Sequence, residues 1–151
     1  MVKTRTRGLN KRRKTAKKQS KMVSADIKSR IARKFLEILN IVKLYHWKTK
    51  SYAQHKATDE LYTKLNDNID QFIEVLLGKD ASRIHKLDKR MTIMDTNGEK
   101  DFKNKMYEYR EFLIDDINVY FNNKKDSDLL TIRDEILVNV NQFLYLMTFD
   151  K

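Results

Sequence analysis

His55, Asp59, Asp70 and Glu74 follow one another at intervals of four, eleven and four residues. Each interval is close to a whole number of helical turns at roughly 3.6 residues per turn. With His55 set at zero and about 100° per residue, Asp59 falls near 40°, Asp70 near 60° and Glu74 near 100°. Leu61, Leu65, Ile69, Phe72 and Leu76 gather at roughly 240° to 320°. One helix therefore carries an apolar stripe and, beside it, a stripe of imidazole and carboxylate. Those groups ligate hard or borderline cations such as iron; carboxylates so placed also serve as an ordinary solvated face. His46 lies on the preceding segment within about 20° of Phe35 and close in angle to Leu39 and Val42. It points to the packed side, either as a core histidine held by hydrogen bonds or as a further ligand beside the turn.

The elements that must position these groups are helical. The 151 residues include no proline, no cysteine and three glycines, and are rich in Lys, Leu, Ile and Glu, which argues an all-α fold of one domain. Without cysteine there is no disulfide, zinc-thiolate site or thiol catalysis. No apolar run approaches the roughly 20 residues needed to cross a bilayer, so no membrane partner is expected. Ser24 is a plausible N-cap for a first helix reaching about residue 48, with Ile27, Ile31, Phe35, Leu39 and Val42 inward. A second helix spans about 57–77 and ends at Gly78, a good capping residue. Residues 79–100 have weak periodicity, with a short helix expected around 84–94, and close on the turn signal Asn97-Gly98. A third helix over 101–121 turns Phe102, Met106, Tyr109, Leu113, Ile117 and Tyr120 inward. Asp126 or Ser127 caps a fourth, whose inward residues are Leu130, Ile136, Leu137, Val140, Phe143, Leu144 and Met147. The connections run short, long, short. One long crossover between the second and third helices is the ferritin-like arrangement, whereas an up-down-up-down bundle needs three short links.

The motif points the same way. His46-Trp47, then His55-x3-Asp59-Glu60-Leu61-Tyr62, then Ile69-Asp70-x3-Glu74 resembles the signature of the Dps-type miniferritins, the iron-oxidising, DNA-protecting branch of the ferritin-like superfamily. The resemblance implies a ferroxidase site shared between twofold-related subunits, with His46, His55 and Asp59 from one chain and Asp70 and Glu74 from the other. It also implies a dodecameric homo-oligomeric shell and iron as the metal handled. The link between the two histidines is shorter here than in that family, and the family's asparagine and glycine after the tryptophan are missing. The same stretch is similar to short uncharacterised ferritin-like proteins of large nucleocytoplasmic DNA viruses. Residues three before His46, His55 and His85 are Lys43, Tyr52 and Ser82, so the Glu-x-x-His pairs that build a site inside one bundle are absent. Trp47 is a packing anchor or an electron donor. His85, among Arg83, Lys86 and Lys89, reads as a surface residue. Glu108, Glu111, Asp115 and Asp116 read as a solvated face.

Residues 1–22 form a separate basic tail, expected to be disordered when alone. Lys3, Arg5, Arg7, Lys11, Arg12, Arg13, Lys14, Lys17, Lys18 and Lys21 stand there with no acid, and residues 23–151 form the helical bundle. Of the formal charge of +11, only +1 remains outside the tail, from 22 basic and 21 acidic residues. Such a tail binds phosphate backbones by counterion release, without reading sequence and with steep salt dependence. It has no aromatic to stack on bases, which favours double-stranded DNA or another polyanion over single strands. The cluster KRRKTAKK also fits a nuclear localisation signal; a transit peptide fits poorly for want of an amphipathic face. Two functions follow. One is a Dps-like DNA-binding miniferritin that oxidises Fe(II). The other is a non-catalytic architectural protein that packages or condenses nucleic acid in a virion or nucleoid. Both place the chain inside a cell or particle with DNA, in nucleoid, nucleus or virion interior. A helical adaptor carrying a localisation signal is the third possibility.

Overall fold

The computed structural model describes residues 22–85 and 87–149, and these are all-helical, without a strand. The helices are α1 (Ala25–Lys48), α2 (Tyr52–Gly78), α3 (Gly98–Glu111), α4 (Ile117–Tyr120) and α5 (Ser127–Leu146). A π-turn, Phe112–Asp116, joins α3 to α4 through backbone that stays helical, so the chain makes four long rods.

Local chemistry fixes the ends. Ser24 caps α1 by accepting from the Ile27 N–H at 3.3 Å, and Asp26 lies in its first turn, where a negative charge complements the helix dipole. α2 begins at Tyr52, five residues before the start expected from hydrophobic periodicity. Ser51 accepts from the Gln54 N–H at 3.3 Å, and Ser-x-x-Gln is the spacing of a capping box. The α1–α2 link shrinks to residues 49–51. It is held by the Thr49 hydroxyl, which accepts from the Ser51 N–H at 3.2 Å and donates to Gln54 Oε1 at 3.0 Å. At the far end of α2, Gly78 is still helical. The left-handed residue is Ala81, at φ 54°, beside a Ser82 N–H that donates to the Leu77 carbonyl at 3.1 Å.

The contacts between rods give their directions. Tyr45 stacks on Phe102 at 3.9 Å, and Phe35 meets Phe112 edge-on at 6.0 Å, so α1 runs antiparallel to the 98–120 rod. Lys79, just past α2, pairs with Asp126 and Asp128 at the start of α5. Asn68 near the middle of α2 bonds Glu135 and Asn139, so α2 and α5 are antiparallel. Each of α1 and α5 packs on both α2 and α3. Phe72 of α2 meets Phe121, at the end of the rod that Phe102 begins, at 5.9 Å. α2 and the 98–120 rod therefore run parallel, on opposite corners.

Parallel rods need a connection as long as the bundle, and residues 79–97 supply it along α1. Lys28, buried near the start of α1, bonds Asp80 and, at 2.8 Å, Ser82. Arg33 pairs with Asp88, and Lys48 at the end of α1 pairs with Asp95. The Lys28 ammonium, then the Ser82 hydroxyl, hold the Asp80 carboxyl below the usual carboxylate range. Lys48 does the same for Asp95. No helix forms in the crossover among its described residues, contrary to the short one expected around 84–94. Ion pairs to α1, and not an amphipathic face, hold this segment in place.

The core centres on Phe35, edge-on to Phe72 at 5.3 Å, with Ile31, Ile38, Leu65, Met106, Leu113 and Leu129 fully buried around it. The expected inward stripe of α2 is buried at all five positions, as are Phe102, Met106, Tyr109, Leu113 and Ile117. Phe112, missed by a strict 3.6-residue period, is buried as well, because a π-turn adds a residue to one turn and brings a second side chain inward. Arg133 of α5 is also buried; its guanidinium donates to the Leu113 carbonyl and to Asn118 Oδ1, both at 2.9 Å.

Candidate functional site

The three-residue link brings the last turn of α1 against the first turn of α2, and with it His46 against His55. Their rings stack with centroids 3.9 Å apart and 23° between planes. His46 Nδ1 lies 3.0 Å from the His55 carbonyl and 3.2 Å from Thr58 Oγ1. His55 Nδ1 lies 3.0 Å from the His46 carbonyl. A carbonyl can only accept, so each Nδ1 carries the proton. The Thr58 hydroxyl spends its own hydrogen on the Gln54 carbonyl at 2.8 Å and accepts from His46. The His46 carbonyl, at the end of α1, is one of those a helix leaves without an internal partner, and the His55 ring supplies one.

The consequence lies at the other nitrogen. With Nδ1–H committed to a carbonyl, Nε2 of each ring is a lone-pair donor, and neither makes a hydrogen bond within the described chain. Metal-binding imidazoles are oriented in this way, the far N–H bonded to a carbonyl so that tautomer and ring plane are fixed. His46 is buried, as its helical angle predicted, and His55 is exposed. Behind the pair, Tyr45 donates to Gln54 Oε1 at 2.7 Å, and Gln54 Nε2 donates to Glu99 at 3.0 Å. Burial, then the Glu99 charge, raise the Tyr45 phenol above its ordinary value, so it stays a hydrogen-bond donor. Sequence reasoning passed over Thr58, Gln54 and Tyr45; Ser-x-x-Gln was the signal that would have put Gln54 at the turn.

Asp59, Asp70 and Glu74 are all exposed on α2. Asp70 stands fifteen residues beyond His55, about 22 Å along the helix at 1.5 Å per residue, so one chain cannot bring the whole set together. Among the described residues no group of three or more His, Asp or Glu is placed to hold a metal ion. The donor types suit iron; a complete set requires a second chain. Trp47 is 68% exposed, with Lys43 Nζ 5.9 Å from its ring. It is not packed into the core, contrary to the packing role expected, because Tyr45 and His46 take the inward positions of the last turn of α1 and residue 47 falls outside them. His85, Glu108, Glu111, Asp115 and Asp116 are exposed. The ten tail cations from Lys3 to Lys21 lie outside the described residues. No helix among the described residues is long and apolar enough to cross a membrane.

The model of a family of unknown function, DUF5856, matches residues 46–147. That is most of the chain, which therefore belongs to this family. The matched region begins at His46 and holds both histidines, Asp59, Asp70 and Glu74, and it leaves out the tail. An uncharacterised 14.6 kDa protein of Enterobacteria phage T4, from the mobD-ri intergenic region, is 43% identical over 51 residues, covering 31% of this chain and 40% of the phage protein. The chain thus spans about two fifths of that relative's length. No solved structure matches the chain.

Proposed function

For this member of a family of unknown function, we propose the role of a Dps-type miniferritin subunit. In this reading Fe(II) is the substrate, oxidised between twofold-related copies in a ferritin-like shell, and the basic tail holds double-stranded DNA. The observation that carries it is the histidine pair: two adjacent imidazoles with both Nδ1 protons fixed on backbone carbonyls and both Nε2 lone pairs unengaged. The order of rods supports it too, since α2 and the 98–120 rod run parallel with a full-length crossover between them, the ferritin-like connectivity. His46 and His55 supply nitrogen and Asp59 oxygen on one copy; Asp70 and Glu74 supply oxygen from the other. Neutral imidazole and carboxylate hold Fe(II), and the added carboxylate charge favours Fe(III) after oxidation. When peroxide is the oxidant, two Fe(II) would give one electron each, the O–O bond would break and its two oxygens would leave as hydroxide, with two Fe(III) as product. The chain's part is to hold both ions at one place while this happens.

The test is anaerobic Fe(II) titration of the sized protein followed by peroxide, with Asp70→Asn/Glu74→Gln as the control. Binding of about two irons per site, as in two-metal centres, with rapid oxidation lost in the control and DNA binding kept, establishes the reading. Oxidation no faster than in buffer, for both proteins, overturns it. The segregation of charge, ten basic residues and no acid in residues 1–22, favours a second reading in that event: a non-catalytic architectural protein that condenses nucleic acid. In both readings affinity for double-stranded DNA falls steeply with salt and is lost on removing residues 1–22.

A further inference from the structure

Trp47, the sole tryptophan of the chain, and Tyr52 are 68% and 76% exposed on either side of the three-residue link. From residue 38 to residue 58 there is no acid, and four lysines, Lys43, Lys48, Lys50 and Lys56, stand among these aromatics. Lys50 and Lys56 are exposed. Of the acids around this stretch, Asp95 pairs with Lys48, Glu99 with Gln54 and Lys103, and Glu60 with Lys64, while Asp59 stands exposed on α2. Beside the link a cleft of roughly 660 Å³ opens, lined by Lys48, Lys50, Tyr52, Gln54, Thr96 and the Lys103-paired Glu99 among others, with Trp47 and Lys56 outside it. That volume is within the range of small-ligand pockets and admits a base with its sugar.

Two exposed aromatics beside one turn offer planar apolar faces to an occupant. Here the surrounding charge is positive, so the occupant is a polyanion with planar apolar faces. We infer that the α1–α2 turn is a contact for single-stranded nucleic acid, with Trp47 and Tyr52 stacking on bases and Lys50 and Lys56 meeting the phosphates. Duplex DNA hides its base faces in its own stack, whereas a single strand offers them, and stacking on aromatic side chains tolerates any sequence. The turn thereby supplies what the tail lacks. The inference uses neither Nε2 lone pair nor the α2 carboxylates, and it requires that Trp47 stay open beside the contact between copies proposed above.

Because Trp47 is the only tryptophan, its emission reads the contact directly. The full chain is titrated with single-stranded oligothymidine and with a duplex of equal charge, at a salt concentration raised to weaken the tail's contribution. Expected are quenching of Trp47 by the single strand well beyond that by the duplex, and about a tenfold loss of single-strand affinity in Tyr52→Ala. Duplex affinity is unchanged in that variant, and Tyr52→Phe, which keeps the ring, restores the wild-type value. Tyr52 is exposed, so both variants fold, which circular dichroism checks. Single strand bound with Trp47 emission unmoved, or equal single-strand affinity in Tyr52→Ala and wild type, overturns the inference and leaves the tail as the contact. Trp47 emission that shifts with protein concentration in the absence of nucleic acid also overturns it, because another copy then covers the patch.

Discussion

His46 and His55 each donate the Nδ1 proton to the other's backbone carbonyl, both at 3.0 Å, and their rings stack at 3.9 Å across the α1–α2 turn. The two bonds close one ring of interactions between the end of one helix and the start of the next. Each histidine is therefore oriented by the other's main chain, and removing either loosens both.

This reciprocity predicts non-additive stability. His46→Ala empties a buried position and removes the donor to the His55 carbonyl and the Thr58 hydroxyl, costing about 2–4 kcal/mol; exposed His55→Ala costs about 1 kcal/mol. The double variant falls short of the sum by about 1 kcal/mol, since either change alone breaks the stack. Urea unfolding of the four proteins checks it, and strict additivity would mean that the rings act separately.

Lys28 predicts an acid-labile bundle end. Asp80 ionises below the usual carboxylate range, because the Lys28 ammonium bonds its charged form. A carboxyl with a depressed folded value contributes fully above its unfolded value, about 3.9. That contribution is lost as pH falls through the lower folded value. Thermal midpoints should therefore fall below about pH 4 in the wild type. In Asp80→Asn the midpoint at neutral pH is already lowered, and this part of the acid dependence is missing. Lys28→Met/Asp80→Asn recovers most of the loss, since the harm lies in a buried ammonium left without its carboxylate. Equal midpoints for wild type and Asp80→Asn at pH 7 would contradict this.

What the sequence disclosed follows from how far each signal reaches. The inward stripes of α1, α2 and the 98–120 rod were legible, because a core on one side of a helix imposes a 3.6-residue period on its own residues. The same reasoning placed His46 on the packed side. The start of α2 was legible in Ser51-x-x-Gln54 but was outweighed by periodicity, which begins only at Thr58 and Leu61. Buried Lys28 and Arg133 were not legible, since their partners, Asp80 and the Leu113 carbonyl, come from other segments. Nor were the histidine tautomers, which depend on how closely two helix ends approach. The long crossover was inferred from a count of residues between periodic stretches. What holds it, three ion pairs to α1, leaves no local pattern.

Arg133 predicts where the 98–120 rod is weakest. In a π-turn the backbone hydrogen bond runs to the fifth residue and not the fourth, which leaves carbonyls near the bulge in need of other donors. Arg133 supplies one to Leu113 and a second bond to Asn118 beyond the bulge, both at 2.9 Å, pinning the π-turn to α5. Arg133→Met keeps much of the apolar stem but leaves the Leu113 carbonyl buried without that donor, for a cost of about 1–3 kcal/mol. Arg133→Lys recovers only part of it, because Nη1 makes both bonds while Nε holds Asp134 at 2.7 Å, and a lone ammonium has no second nitrogen to keep that hold. Amide exchange locates the effect. Protection should fall first over 112–120, while the His46–His55 turn at the other end of the bundle keeps its protection. A uniform loss across all rods would mean that Arg133 supports the global fold and not the π-turn.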